Sequence, residues 1–285
     1  MSTKRRFLAL LLSLTLLFSL AACDVSWLLD PSPAPGDGLT VHFIDVGQGD
    51  CELIEAQGHF LLIDAGERGN EDKVIKYLRS QGVEALDYVV ATHPHSDHMG
   101  GLAYGVLEAF PVGTVIAPRF SPENTPTTLT YEKFLDCVTE LVAAGTKAEY
   151  ARPGKTYPLG EASFTILGPL KEDGKNYNND SVVLRVEYQN SAALFMGDAE
   201  KKVESALLKE WGEGLRADLL KAGHHGSKTS SNEDFLYIVE PSDVVISCGV
   251  GNSYGHPHRE VLDRCRAYGI RVSRTDIEGN IVIHL

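Results

Sequence analysis

Residues 92–101 read Thr-His-Pro-His-Ser-Asp-His-Met-Gly-Gly, which packs three imidazoles and a carboxylate into one short stretch: His93, His95, Asp97 and His98. Nitrogen and oxygen donors at this density are what zinc-type sites use. His93 and His95 stand two apart, so extended backbone turns both rings to one side, and Pro94 between them confines φ. Asp97 and His98 are then placed to serve a neighbouring ion. Buried together without a cation, the ring lone pairs and the carboxylate would lack partners. The alternative is a solvated polar loop. The chemistry favoured is hydrolysis, in which divalent ions acidify a water toward neutrality.

Such a cluster needs rigid supports. The apolar run Tyr88-Val89-Val90-Ala91 leads straight into it and is expected to be a strand. Further strands are expected at 40–44, 51–55, 60–63, 114–117, 163–167, 182–188, 192–196, 218–222, 244–247 and 280–284. Helices are expected at 71–80, 101–110, 131–144, 200–211 and 259–268. So many strands with interspersed helices suit an α+β chain, an αββα sandwich of two packed mixed β-sheets with helices on the outer faces.

His93, His95, Asp97 and His98 reproduce an H-x-H-x-D-H signature, and on it the chain resembles the metallo-β-lactamase-fold hydrolases. Phe60–Gly66, ending Asp64-Ala65-Gly66, is similar to that family's early strand. Residues 193–198, ending in Asp198, look like the strand that delivers a metal-bridging Asp, and 219–227, with His224-His225-Gly226-Ser227, like the strand delivering the last His. Val41-His42-Phe43-Ile44-Asp45-Val46-Gly47-Gln48-Gly49-Asp50 and Tyr254-Gly255-His256-Pro257-His258 add a closer likeness to the hydrolase domain of ComEC-type competence proteins and their free-standing relatives.

That resemblance implies two divalent ions, with Zn²⁺ favoured over Mn²⁺. His93 and His95 would hold one ion; Asp97, His98 and His224 the other; Asp198 would bridge them. His225 would either bind an ion directly or orient a residue that does. Asp97, Asp198 and His256 are the expected catalytic residues, with His256 a phosphate contact or general acid, and Ser227, Lys228 and His258 the expected substrate contacts. Asp64 is expected to brace the metal loop as an acceptor rather than to ligate, and Asp45, Gln48 and Asp50 to line the mouth. Many relatives place a third His before the bridging Asp, where this chain has Tyr177-Asn178-Asn179, so Asn179 leaves the first position short of an imidazole.

Residues 1–22 join a basic start, Lys4-Arg5-Arg6, to a short apolar run and then small residues before Cys23. That is the pattern of a lipoprotein-type signal peptide, with Cys23 as the lipidated first residue of an exported, membrane-anchored protein on the extracytoplasmic face. Residues 23–38 are a Pro/Gly-rich tether, and 39–285 the hydrolase domain. The formal charge of −13 becomes −16 once Lys4, Arg5 and Arg6 are removed, an unwelcoming field for a long polyanion. Cys51, Cys137, Cys248 and Cys265 lie in apolar runs and are expected to be buried thiols.

The expected activity is that of a phosphodiesterase or nuclease acting on DNA, an oligonucleotide or a cell-wall phosphodiester; no protein partner is indicated. A β-lactamase or lactonase on the same fold, and a surface lipoprotein that binds without catalysis, are the alternatives.

Overall fold

The computed structural model describes residues 38–285. The expected signal peptide, Cys23 and the tether before Gly38 lie outside the described residues.

One seven-stranded sheet contains β1 (Leu39–Phe43), β2 (Glu52–Ala56), β3 (His59–Ile63), β4 (Leu86–Val90), β5 (Val112–Ala117) and β6 (Lys147–Tyr150). A second holds β7 (Thr156–Leu159), β8 (Ala162–Gly168), β9 (Val183–Tyr188), β10 (Ser191–Phe195), β11 (Leu219–Lys221), β12 (Asp243–Ile246) and β13 (Arg271–Arg274). The closing strand β14 (Ile281–His284) returns to pair antiparallel with β1 in the first sheet. Both sheets are mixed. β1 to β3 are antiparallel and β3 to β6 parallel; β7 to β10 are antiparallel and β10 to β13 parallel.

Three apolar clusters separate four layers, so the expected αββα sandwich is what the chain forms. Side chains alternate across each strand. Leu61 and Ile63 of β3 therefore face Ala193 and Phe195 of β10 between the sheets, where the Phe43 and Phe195 rings stack 6.2 Å apart. Phe60 and Leu62 point the other way and pack with Val74 and Leu78 of the helix Glu71–Ser80 and Phe134 of the helix Leu129–Ala143. On the far side Leu194 and Leu220 pack with Val203, Phe235 and Val261 from the helices Lys201–Trp211, Glu233–Val239 and Arg259–Ala267. Strands buried on both faces read as unbroken apolar runs, which is why 60–63 and 88–91 are legible.

The segment expected as one regular helix over 101–110 starts earlier and is broken. An α-helical stretch, Ser96–Gly101, already contains Asp97 and His98, a wide turn follows over Leu102–Val106, and a short turn of helix ends at Ala109. The four cysteines Cys51, Cys137, Cys248 and Cys265 are buried and free, as their apolar surroundings suggested. Among the described residues no helix is long and apolar enough to cross a membrane.

Candidate metal centre

Five loops leave the C-terminal ends of parallel-paired strands and meet at one edge of the sandwich: Asp64 after β3, Thr92–His98 after β4, Asp198 after β10, His224 and His225 after β11, and Ser247 after β12. Backbone bonds stitch them together. Ala65 N donates to His98 O at 2.9 Å, Gly101 N to Gly66 O at 2.8 Å, Gly66 N to Asp50 O at 2.8 Å and Asp50 N to Asp97 O at 3.2 Å. The approach is so close that a Cβ on Gly101 would lie 2.1 Å from Ala65 O, so only glycine fits.

Asp64 braces this loop. Its carboxylate accepts from Thr92 N at 2.8 Å and Thr92 Oγ1 at 2.6 Å, and lies 2.8 Å from His98 Nδ1. That contact commits His98 Nδ1 and turns Nε2 into the site. His225 is held likewise: its Nδ1 is 3.0 Å from Ser247 O and 3.1 Å from Asp50 Oδ1.

The inward atoms form a tight triangle. His98 Nε2 lies 3.2 Å from His225 Nε2 and 3.2 Å from Asp198 Oδ1, and His225 Nε2 lies 3.4 Å from Asp198 Oδ1. Asp97 Oδ2 adds contacts of 3.3 Å to His225 Nε2 and 3.9 Å to His98 Nε2. Ligands about 2.0–2.1 Å from a tetrahedral zinc stand about 3.3–3.4 Å from one another. The other carboxylate oxygen, Asp198 Oδ2, faces a second group: His93 Nε2 at 3.7 Å and His224 Nε2 at 3.8 Å, with His95 Nδ1 3.0 Å from His93 Nε2. Asp50 lies near the same rings but on the Nδ1 side of His98 and His225, so it backs the group rather than facing into it.

The electrostatics call for positive charge here. Asp198 Oδ1 is buried and has no hydrogen-bond partner although two imidazole nitrogens, His98 Nε2 and His225 Nε2, stand 3.2 and 3.4 Å away. Burial opposes charge on His225, yet Asp198 and Asp50 outweigh it and lift the ring to about 10; His98 is also raised, by Asp198, Asp97 and Asp50 against the same burial. Burial and the neighbouring His98 hold His93 well below the usual imidazole range. A donor set that gathers protons around a bridging carboxylate fits divalent cations in their place.

A cleft of about 610 Å³ opens above, walled by His95, Asp97, Asn178, Asp198, His224, His225 and His256, with Gln48, Thr128, Thr130 and Tyr254 farther out. Among the described residues no Lys or Arg lines it. His256 is anchored through Asn252, whose Oδ1 accepts from His256 N at 2.9 Å and whose Nδ2 donates to His256 O at 2.6 Å. Its ring lies 5.6 Å from Tyr254, nearly parallel, and burial together with His225 and His224 lowers its pKa to about 4.

The expected ligands thus converge, with His224 and His225 in different settings. Successive left-handed residues, φ 50° and 54°, send the two rings apart. His225 is buried in the triangle, whereas His224 is 23% exposed, with Nδ1 3.3 Å from Glu200 Oε1 and its ring facing the Asn178 amide. Asn178, not Asn179, lines the cleft; Asn179 Nδ2 donates to Asp173 at 3.0 Å. Ser227, Lys228 and His258 stand off the wall: Ser227 Oγ accepts from Thr229 N, and Lys228 N donates to His258 Nδ1 at 3.1 Å. Of the expected mouth residues, Gln48 is there, Asp45 accepts from Lys73 Nζ at 3.1 Å, and Asp50 is on the buried floor paired with Lys221. Sequence reasoning passed over Lys221, although a lysine closing the apolar run Leu219-Leu220 was a visible signal.

The family profile described as "Metallo-beta-lactamase superfamily" matches residues 44–250. ComE operon protein 3 of Bacillus subtilis (strain 168) is 32% identical over 278 residues, covering 91% of this chain and 34% of that protein. Competence protein ComA of Neisseria gonorrhoeae is 32% identical over 250 residues, covering 87% and 33%. The chain spans about a third of the length of these relatives. Among solved structures, the metallo-beta-lactamase fold protein YhfI from Bacillus subtilis aligns with a TM-score of 0.58 at 14% identity, covering 87% of this chain and 100% of that one.

Proposed function

The chain belongs to the metallo-beta-lactamase superfamily, and on that premise we propose that it is a metal-dependent phosphodiesterase or nuclease, exported and held at the membrane through a lipidated Cys23. One observation carries the hydrolytic reading: Asp198 offers one oxygen to the His98/His225 group and the other to the His93/His224 group. Two such groups sharing a carboxylate suit a pair of divalent ions: His93, His95 and Asp198 would hold one, with His224 beside them, and Asp97, His98, His225 and Asp198 would hold the other. Bound there, the ions would supply Lewis acidity and acidify water toward neutral pH.

The protein's own residues do the positioning. Asp64, Asp50 and Ser247 fix the ring orientations from behind, so little rearrangement is left to the reaction. His256, neutral at pH 7, presents a ring to the substrate side of the cleft, which suits a hydrogen bond to a phosphoryl oxygen. The phosphodiester assignment draws on the likeness to competence proteins, of the same kind as the two relatives named above. The acidic chain and a cleft wall without Lys or Arg favour a short oligonucleotide or a small cell-wall diester over a long duplex.

The test is a substrate panel with the purified, zinc- or manganese-loaded protein: single-stranded and duplex DNA, bis(p-nitrophenyl) phosphate, a phosphorylcholine ester and a chromogenic cephalosporin. Diester turnover well above the cephalosporin is expected, and the reverse order would replace this reading with the β-lactamase alternative. Protein that holds neither zinc nor manganese and hydrolyses no diester would favour a binding lipoprotein. Anchoring is checked separately by labelled palmitate, which should enter the wild type and not Cys23→Ala.

A further inference from the structure

A lysine lies directly beneath the proposed metal centre. Lys221, at the end of β11, and Asp50 are each 1% exposed, and Lys221 Nζ is bonded to Asp50 Oδ2. The same ammonium lies 3.3 Å from the carbonyl of Gly197, the residue before Asp198. Asp50 Oδ1, the oxygen left over, stands 3.1 Å from His225 Nδ1. An apolar residue would fill the end of this strand at lower cost, since a buried ion pair seldom stabilises more than the apolar packing it displaces. Its position therefore asks for another explanation, and the chain of contacts supplies one. Lys221 clamps one oxygen of Asp50 and so sets the second 3.1 Å from His225 Nδ1 as a buried counter-charge, while Ser247 O accepts the hydrogen bond from that nitrogen, and His225 Nε2 is thereby aimed at Asp97, His98 and Asp198.

Resting on the metal reading above, we propose that Lys221 is a positioning residue for the ion held by Asp97, His98, His225 and Asp198, acting through Asp50 without touching that ion. Glu52, also buried on this floor, is pushed well up by burial and by Asp50. The remaining ion is not wired this way. His93 Nδ1 is 3.0 Å from Thr92 Oγ1, and none of the contacts of Lys221 or Asp50 reaches His93 or His95.

The experiment is a zinc titration of the full, metal-stripped protein against a competing chelator, paralleled by the absorption spectrum of the cobalt-loaded protein. His98→Ala marks which of the two binding steps belongs to this ion. Asp50→Asn is expected to weaken that step about 10–100-fold, as loss of a partner behind a ligating histidine does. Lys221→Met should weaken the same step, change the cobalt spectrum and leave the other step in place. Because Lys221 acts through Asp50, the double variant should be no weaker than the weaker single one.

Lysine removal that shifts neither step, or losses that multiply in the double variant, would overturn the inference. Should either single variant fail to fold with half a buried pair, the double variant, which removes both charges, decides by the same step. Wild type that binds no zinc would sink the metal reading itself and this inference with it. Two wild-type steps left unmoved by these variants would sink the inference alone.

Discussion

Asp198 is the residue on which the two imidazole groups depend, because among the described residues no other side chain presents separate oxygens to both. Asp198→Asn keeps the shape, replaces one oxygen with an amide that donates, and removes the charge that draws cations to both groups. The expected result is a loss of at least about 100-fold in kcat on bis(p-nitrophenyl) phosphate, comparable to removing a major electrostatic contributor. Turnover within a few-fold of wild type would show that the carboxylate does not bridge. His93, His95, Asp97 and His98 were legible because donor type and spacing state their purpose. His224 was expected beside Asp97 and His98, but His225 takes that place: a left-handed turn sends the His225 ring to the floor and the His224 ring to the wall, which the two identical neighbours do not announce in sequence. Asp50 was misplaced to the mouth for a related reason, since the partner that pairs with it on the buried floor, Lys221, is 171 residues away in sequence.

At the scale of elements, the strands legible in the sequence are chiefly those buried on both faces, and the three that were not, β6, β7 and β13, are all sheet edges. Edge strands carry charge and proline that mask a strand pattern: Lys-Ala-Glu-Tyr in β6, Pro158 in β7 and Arg-Val-Ser-Arg in β13. The metal helix shows how elements set the site. With Gly101 pressed on Ala65 O, Gly101→Ala should push the Ser96–Gly101 helix off the Asp64 turn and cost about 1–3 kcal/mol or more. Thermal unfolding and zinc stoichiometry should fall together, and a variant with unchanged zinc content would break the link between this packing and the site. A second element contact joins β1 to the helix Glu71–Ser80, where His42 Nδ1 is 3.0 Å from Tyr77 Oη while Nε2 is buried without a partner. Burial, then His284, lowers His42 to about 4, so the unfolded chain binds its proton first as pH falls. Stability from this group is full above about 6.5 and is lost between there and about 4, by ~3 kcal/mol. Urea unfolding of His42→Gln should show a flatter pH slope in that window than wild type, and identical slopes would refute the assignment.

For the whole molecule, charge sets the limit on what the cleft can grip. The chain carries −13, among the described residues no Lys or Arg lines its cleft, and Lys202, four residues after Asp198, is paired with Asp173. A nucleic-acid enzyme with a long footprint neutralises many phosphates and releases a counterion for each, which makes its affinity fall steeply with salt. Here the attraction for a phosphodiester would come from the metal centre alone, and its reach is short in physiological salt because screening removes most of it beyond about 8 Å. For single-stranded substrate, at about 0.7 counterions per phosphate, one or two engaged phosphates predict a slope near −1 for log affinity against log salt. Binding of a 5-mer and a 20-mer with cleavage-resistant phosphorothioate linkages to the zinc-loaded wild-type protein, measured between about 50 and 200 mM salt by fluorescence anisotropy, should give similar shallow slopes for both. A slope steeper than about −4, or one that grows with oligonucleotide length, would mean that six or more phosphates are held. The acidic surface would then have to hide a basic track, and the case for a short substrate would fail at the level of the molecule even with the metal centre intact.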